Sequence, residues 1–325
     1  MDKKTIIGIT GANGYIGSEL CIFLIDKGYK VKGLVRNEDN GKKLEKLGVD
    51  VFYGDIRRKN SMIGFLDQIS VLIHTAAKLG NGSWKQFYET NCIGTEYIAD
   101  ACIKNSVKLL IHLSTIEVYG KFGNRLLDEN TVLRLCGQFY SDSKIMAEQI
   151  VEKRLSNTCI SFVIIRLGMV YGPRSYFWTE RLYRMAKEGR FLLLKKGEGY
   201  IYPVYIDNIL NAIEKIIRLP PRTNEIYNLI DSSNITWRIW GEMYGKICDQ
   251  KQPFTKKNVL ILKIQNCIKK NILKKGYSKS VEVYTRKAQI SNQKARSYLY
   301  DETWLSYEEG MQKCESWIKN ILENN

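Results

Sequence analysis

Residues 3–36 read KKTIIGITGANGYIGSELCIFLIDKGYKVKGLVR, and the order of residue types in this stretch decides the fold class. Thr5 to Thr10 is a short apolar, β-branched run of the kind that forms a buried strand. Gly11, Gly14 and Gly17 come next and open a helical stretch from Ser18 to Lys27; Val31 to Val35 is a second apolar strand. Strand, glycine turn, helix and strand within about thirty residues make one βαβ unit, and its turn is built to hold an anion. Gly11 lets the chain leave the strand tightly. Gly14 removes a Cβ so that backbone N–H groups can approach a pyrophosphate, and Gly17 allows the helix to pack close to the sheet. The spacing is Gly-x-x-Gly-x-x-Gly, one residue longer in the turn than Gly-x-Gly-x-x-Gly. By itself such a turn is sometimes only a turn, so the reading depends on the motifs in the rest of the chain.

In NAD-binding versions of this unit a carboxylate about twenty positions after the first glycine holds the ribose hydroxyls. Here the second strand ends Leu34-Val35-Arg36-Asn37, with no acid before Glu38. A guanidinium at that place can pair with a 2′-phosphate, so the expected cofactor is NADP(H), with NAD(H) as the alternative. In the bland reading Arg36 is a solvated loop cation and Glu38 or Asp39 turns inward.

The chain has 325 residues, 44% hydrophobic and 26% charged, which suits one large domain and a smaller lobe of a soluble globular protein. No apolar run is long enough for a membrane span, and the start passes straight into the glycine turn, so the expectation is a cytoplasmic protein. Eight scattered cysteines form no Cys-x-x-Cys pair and read as reduced thiols, with no metal site and no disulfide framework. The net charge of +16 invites a nucleic-acid or membrane reading. Residues 251–280 alone carry nine lysines and no acid. No zinc-finger spacing, RNA-binding aromatic signature or helix-turn-helix accompanies the charge, so a field attracting an anionic cofactor and substrate is the more economical account.

Further along, Val49 to Tyr53 is a third strand ending in Gly54-Asp55-Ile56, which makes Asp55 a candidate partner for an adenine amino group or else a turn or helix-cap residue. Val71 to His74 is a fourth strand, and Thr75-Ala76-Ala77 puts small residues where the backbone must pass close to the cofactor. His74 reads as a structural donor. Asn91 lies in a helical segment packed under the sheet. Lys108 to Leu113 is the fifth strand, and Ser114-Thr115-Ile116-Glu117-Val118-Tyr119-Gly120 stands at its carboxyl end, where open α/β sheets place their ligands. Tyr140-Ser141-Asp142-Ser143-Lys144 then opens a helix. Four residues apart, Tyr140 and Lys144 share one face. An ammonium there favours phenolate over phenol and is expected to bring the phenol's pKa down toward neutrality.

With TGANGYIG, GDI, HTAA, TNCIGT, STIEVYG, YSDSK, IRLGMVYGP, VYIDN and SYEEGMQKCESWI in this order, the chain resembles the extended short-chain dehydrogenases over nearly its whole length. The resemblance implies an α/β fold: a Rossmann-type doubly wound parallel sheet of seven strands with a smaller C-terminal α/β substrate lobe. It implies a catalytic set of Thr115, Tyr140 and Lys144, with Ser114 as the fallback hydroxyl. In the family the hydroxyl binds the reacting oxygen, the tyrosine transfers the proton, and the lysine holds the nicotinamide ribose while tuning the tyrosine. Candidate cofactor-binding positions are Gly11, Asn13, Gly14, Tyr15, Ile16, Gly17, Arg36, Asp55, Ile56, Thr75, Ala76, Ala77 and Asn91, together with Tyr140 and Lys144. The family often dimerises through the helix that carries the tyrosine and lysine, so a homodimer is expected.

Within the family, 4,6-dehydratases carry an Asp-Glu pair just after the hydroxyl; Ile116 and Glu117 stand here, and Ile116 cannot move a proton. C4 epimerases usually keep NAD bound and have the acidic ribose ligand that Arg36 replaces. The leading expectation is therefore an NADP(H)-dependent ketoreductase of a nucleotide-linked deoxy sugar in surface-polysaccharide synthesis. An epimerase is close behind; a sterol-like or other lipid ketone reductase and a non-catalytic dinucleotide sensor are the remaining alternatives. Two substrate-phosphate ligands of nucleotide-sugar members fail to carry over, since Met169 and Ile201 occupy their places; Arg174, Arg181, Lys195 and Arg286 are possible substitutes. Residues 256–275 could form an amphipathic helix that packs on the substrate lobe or visits a membrane surface. The expected domain limits are 1–172 with 202–232 for the cofactor domain and 173–201 with 233–325 for the lobe.

Overall fold

The structure is a computed structural model that describes residues 5–120, 123–219, 224–256 and 281–322. Seven strands form the central sheet: β1 (Ile6–Thr10), β2 (Lys30–Val35), β3 (Asp50–Tyr53), β4 (Ile69–His74), β5 (Leu109–Thr115), β6 (Ser161–Leu167) and β7 (Glu225–Leu229). Their spatial order is β7-β6-β5-β4-β1-β2-β3, so the direction of winding reverses between β1 and β4. The pairs β1–β2, β2–β3, β1–β4 and β4–β5 are parallel, which requires long crossovers; α1 (Tyr15–Asp26), α2 (Glu38–Glu45) and α3 (Gly94–Lys104) lie in them, and α4 (Phe139–Leu155) joins β5 to β6. The Rossmann-type doubly wound sheet expected from the sequence is the fold observed.

A parallel sheet covered by helices on both faces needs strands that are apolar on both sides, and every residue of β5 is buried. One core cluster packs Leu72, Leu110, Phe162 and Ile164 of the sheet against Ile98 and Cys102 of α3 and Val151 and Leu155 of α4. This packing seats α3 and α4 side by side next to the carboxyl end of β5.

The chain divides into two compact units: residues 1–120 with 132–166 and 210–227, and residues 121–131 with 167–209 and 228–325. The first holds the sheet and all the candidate catalytic and cofactor residues. In its described part the second is built from short paired strands, among them Met169–Tyr171 with Pro203–Tyr205, around buried aromatic side chains that include Tyr171, Trp237, Trp240 and Tyr244. No helix among the described residues is long and apolar enough to cross a membrane. Of the proposed amphipathic segment, residues 257–275 lie outside the described residues, as do residues 220–223.

Candidate active site

β1 runs into its turn at Gly11, whose φ of +66° is open to glycine, and a Cβ there would meet the backbone of Ala76 at 2.9 Å. At Gly17 a Cβ would stand 2.2 Å from the Gly11 carbonyl oxygen. The sequence pattern assigns Gly17 to helix–sheet packing; the tighter constraint is the turn folding back on itself. Gly14 is the N-cap of α1, with no side-chain cap and no acid in the first turn. The helix therefore offers its first N–H groups and its positive end to an anion. Asn13 and Gly14 are exposed, and Tyr15 and Ile16 are half-buried at the start of the helix.

The segment after β4 lies against this turn. Thr75 Oγ1 donates to the Thr10 carbonyl at 2.7 Å, and the Ala76 N–H donates to Thr10 Oγ1 at 3.3 Å. Asn91, in the π-helical turn Tyr88–Ile93, accepts the Lys78 N–H on Oδ1 at 2.7 Å. Its amide donates to the Lys78 carbonyl at 3.3 Å and to Ser143 Oγ on α4 at 2.9 Å. Asn91 is buried and thus binds the Thr75-Ala76-Ala77 segment to the helix of Tyr140; its side chain acts here on protein groups.

Arg36 is exposed just past β2, where Asn37 caps α2 and Glu38 reaches Lys42 at 3.9 Å. At the end of β3 the Asp55 carboxylate is gripped by the Arg57 guanidinium, with contacts of 2.6 to 3.1 Å. The Arg57 hydrogen bonds hold Asp55 below the usual carboxylate range, and the Arg36 charge adds to the effect. The ends of β2 and β3 thus gather two guanidiniums and one carboxylate. Ile56 is buried, leaving only room for glycine at position 94 on α3.

The hydroxyl, phenol and lysine meet at the end of β5. Thr115 is its last residue, and its hydroxyl accepts the Glu117 N–H at 3.3 Å and lies close enough to the Tyr140 phenol to lower its pKa. Ser114 is not available as a substitute. Its hydroxyl donates to Glu148 Oε1 at 2.5 Å, and Glu148 forms a buried ion pair with Arg166 at 2.8 Å. Arg166 in turn donates to the Tyr119 hydroxyl at 3.1 Å. The start of α4 is fixed by Asp142, whose two carboxylate oxygens accept the N–H groups of Cys136 and Gly137 at 2.8 and 2.9 Å.

One expectation is corrected. Burial pushes the Tyr140 phenol above its ordinary pKa; the Thr115 hydrogen bond lowers it and the Glu117 charge raises it. Lys144 does not bring it down in this structure, although the two residues share a helix face. The lysine is buried, and its Nζ donates to the Leu113 carbonyl at 2.7 Å and lies 3.0 Å from His112 Nε2. A buried ammonium needs acceptors more than it gains from a neutral phenol. Burial pulls Lys144 down to about 8, against the upward pull of Glu148 and Cys92. Sequence reasoning missed His112, Glu148 and Arg166. Glu148 had a signal, since it repeats the four-residue spacing of Tyr140 and Lys144 along α4.

A reversing parallel sheet with an anion-binding glycine turn, next to a Thr-Tyr-Lys set at the end of β5, is the architecture of the extended short-chain dehydrogenases. The chain belongs to the NAD dependent epimerase/dehydratase family, whose profile matches residues 7–229. It is 27% identical over 205 residues to a 2-alkyl-3-oxoalkanoate reductase of Stenotrophomonas maltophilia, covering 62% of this chain and 61% of that one. With a dTDP-D-glucose 4,6-dehydratase of Dictyostelium discoideum it shares 30% identity over 253 residues, 68% of this chain and 57% of the relative. The chain thus matches less than two thirds of either relative's length. In fold it is similar to the UDP-glucose 4-epimerase of Thermotoga maritima, with a TM-score of 0.79 at 20% identity over 98% and 100% of the two chains.

Proposed function

We propose that the protein is a nicotinamide-dependent oxidoreductase, in which Tyr140 is the proton donor, Thr115 the hydroxyl that orients the reacting oxygen, and Lys144 the buried cation. The observation that carries this reading is the buried Lys144 ammonium, anchored on the Leu113 carbonyl at the end of β5 and carried by the same helix as Tyr140, with the Thr115 hydroxyl close enough to the Tyr140 phenol to lower its pKa. The residues present fit a dinucleotide: an uncapped helix start after a glycine turn, and at exposed Gly14 a position where a Cβ would meet only the Gly11 carbonyl oxygen. Tyr15 and Ile16 would hold the pyrophosphate through their backbone N–H groups, the Gly14 N–H being taken by the Gly11 carbonyl at 2.9 Å. When bound, the nicotinamide supplies the hydride that reaches the carbonyl carbon. Tyr140 delivers the matching proton to the carbonyl oxygen, which Thr115 keeps within reach.

For the cofactor's second phosphate we assign Arg36, exposed at the end of β2 with no carboxylate in the ribose position. This favours exchanging NADPH over resident NAD, and hence a reductase over an epimerase. The leading substrate is a 4-keto nucleotide-linked deoxy sugar. In the second unit Arg286 is buried with its guanidinium 4.9 Å from the Tyr202 ring centroid, a cation suited to a substrate phosphate. Arg174 and Lys195 are exposed and Arg181 is half-buried. A lipid ketone is the second reading, favoured by the buried apolar Met169 and Ile201 at the two failed phosphate positions and by the reductase relative. The test is NADPH oxidation with 4-keto-6-deoxy nucleotide sugars beside 3-oxoalkanoates. Turnover of the first alone supports the sugar reading, and turnover of the second alone replaces it.

A further inference from the structure

The chain contains two histidines, and both lie beneath the lysine of the site. His74 and His112 are cross-strand partners in the β4–β5 register, both fully enclosed, with ring centroids 5.3 Å apart. Their hydrogen bonds fix their protons in opposite places. Thr10 Oγ1 accepts the Ala76 N–H and has its own proton to give to His74 Nδ1, at 2.7 Å. Thr95 Oγ1 spends its proton on the Asn91 carbonyl at 2.6 Å, so at 3.1 Å it accepts from His74 Nε2. His74 therefore carries its proton on Nε2. At His112 the neighbour of Nε2 is Lys144 Nζ, which as an ammonium has three donors and no acceptor. His112 Nε2 must be bare, its proton sits on Nδ1, and that atom is buried without a hydrogen-bond partner among the described residues. A buried N–H is left unsatisfied so that Nε2 can face the lysine.

We propose that His112 is a positioning residue for Lys144: its neutral ring, protonated on Nδ1, accepts the ammonium on Nε2 and, with the Leu113 carbonyl, fixes where that charge stands at the end of β5. The inference rests on the reading of Lys144 as the cation of the active site. With the Leu113 carbonyl, His112 takes two of the three ammonium donors and leaves one for a ligand. The charged and titratable groups facing Lys144 are His112 from β5, His74 from β4, Cys92 from the π-helical turn and Glu148 from its own helix. Burial together with the Lys144 charge keeps both histidines from protonating near neutrality. His112 therefore contributes an acceptor and no charge of its own. An acceptor bonds the ammonium more strongly than the neutral amine, so removing it lowers the lysine pKa.

The first test uses the unaltered protein with 15N-labelled histidine and long-range proton–nitrogen correlation at pH 7, with His112→Gln assigning the two rings. The expected spectrum shows two neutral rings of opposite tautomer, with His112 protonated on Nδ1 and His74 on Nε2. A His112 ring protonated on Nε2, or on both nitrogens, overturns the proposal whatever the substrate is. The second test is the pH profile of kcat. His112→Leu should move its alkaline limb to lower pH by about one unit, and His112→Gln, whose amide oxygen can accept in place of Nε2, should restore it. Superimposable profiles for the wild type and His112→Leu would reduce His112 to a packing residue.

Discussion

The glycine turn of residues 11–17 and the floor beneath Tyr140 both prepare the protein for charge, but by opposite means. The turn uses backbone: Gly11, Gly14 and Gly17 strip away side chains so that N–H groups and a helix end face outward. The floor uses side chains that are almost wholly buried, Lys144 on His112 and Glu148 on Arg166, drawn from β5, α4 and β6. A backbone site tolerates exchange of whatever it binds and is broken by adding one methyl group. A buried side-chain site depends on each partner being present, because a charge left alone there has no water to turn to.

Breaking the floor at its working end should have the largest effect. Tyr140→Phe is expected to reduce kcat by about a hundred- to ten-thousand-fold while dinucleotide affinity, read by nicotinamide fluorescence, stays near the wild type. Next is Glu148→Gln, which leaves Arg166 buried with its ion pair broken. Urea unfolding should show a loss of about 3–5 kcal/mol, and a loss within experimental scatter would mean that the network is not holding α4 to β6. In the turn, Gly17→Ala forces a Cβ against the Gly11 carbonyl. It should cost about 1–3 kcal/mol of stability and weaken dinucleotide binding in calorimetry without moving the Tyr140 chemistry. Arg36→Ala is more selective: NADPH should bind about tenfold more weakly, the scale of one charge-assisted hydrogen bond, with NADH unaffected.

The smallest effect sharpens the contrast through pH. Lys144 is depressed from 10.5 to about 8 by burial. Below pH 8 both folded and unfolded chains hold its proton; between about 8 and 10.5 only the unfolded chain does, so this group's contribution to stability rises with pH across that window. Activity should run the other way, falling as the ammonium is lost through about 8. A turnover rate flat from pH 7 to 10 would show that the ammonium is not needed.

The same contrast explains what could be read in advance. Gly11, Gly14 and Gly17 were legible because few other residues can occupy that backbone, and β4 and β5 because parallel strands buried on both faces are nearly continuous apolar runs. Tyr140 and Lys144 were legible as a pair at helical spacing. What that pair does was not, because the direction of the Lys144 side chain is set by His112 and Leu113, thirty-two and thirty-one positions earlier. Ser114 remained the fallback to Thr115 until its hydroxyl was seen donating to Glu148. Asp55 read either as an adenine partner or as a turn residue, and its carboxylate accepts the Arg57 N–H within the turn and is gripped by the Arg57 guanidinium.

The central claim, a reductase that exchanges NADPH through Arg36, is tested most directly by native mass spectrometry of the purified protein and then titration with NADPH and NADH. The account predicts a protein that carries no dinucleotide as isolated and binds NADPH more tightly. Tightly retained NAD that does not exchange would contradict it and mark the protein as an epimerase that recycles its own hydride.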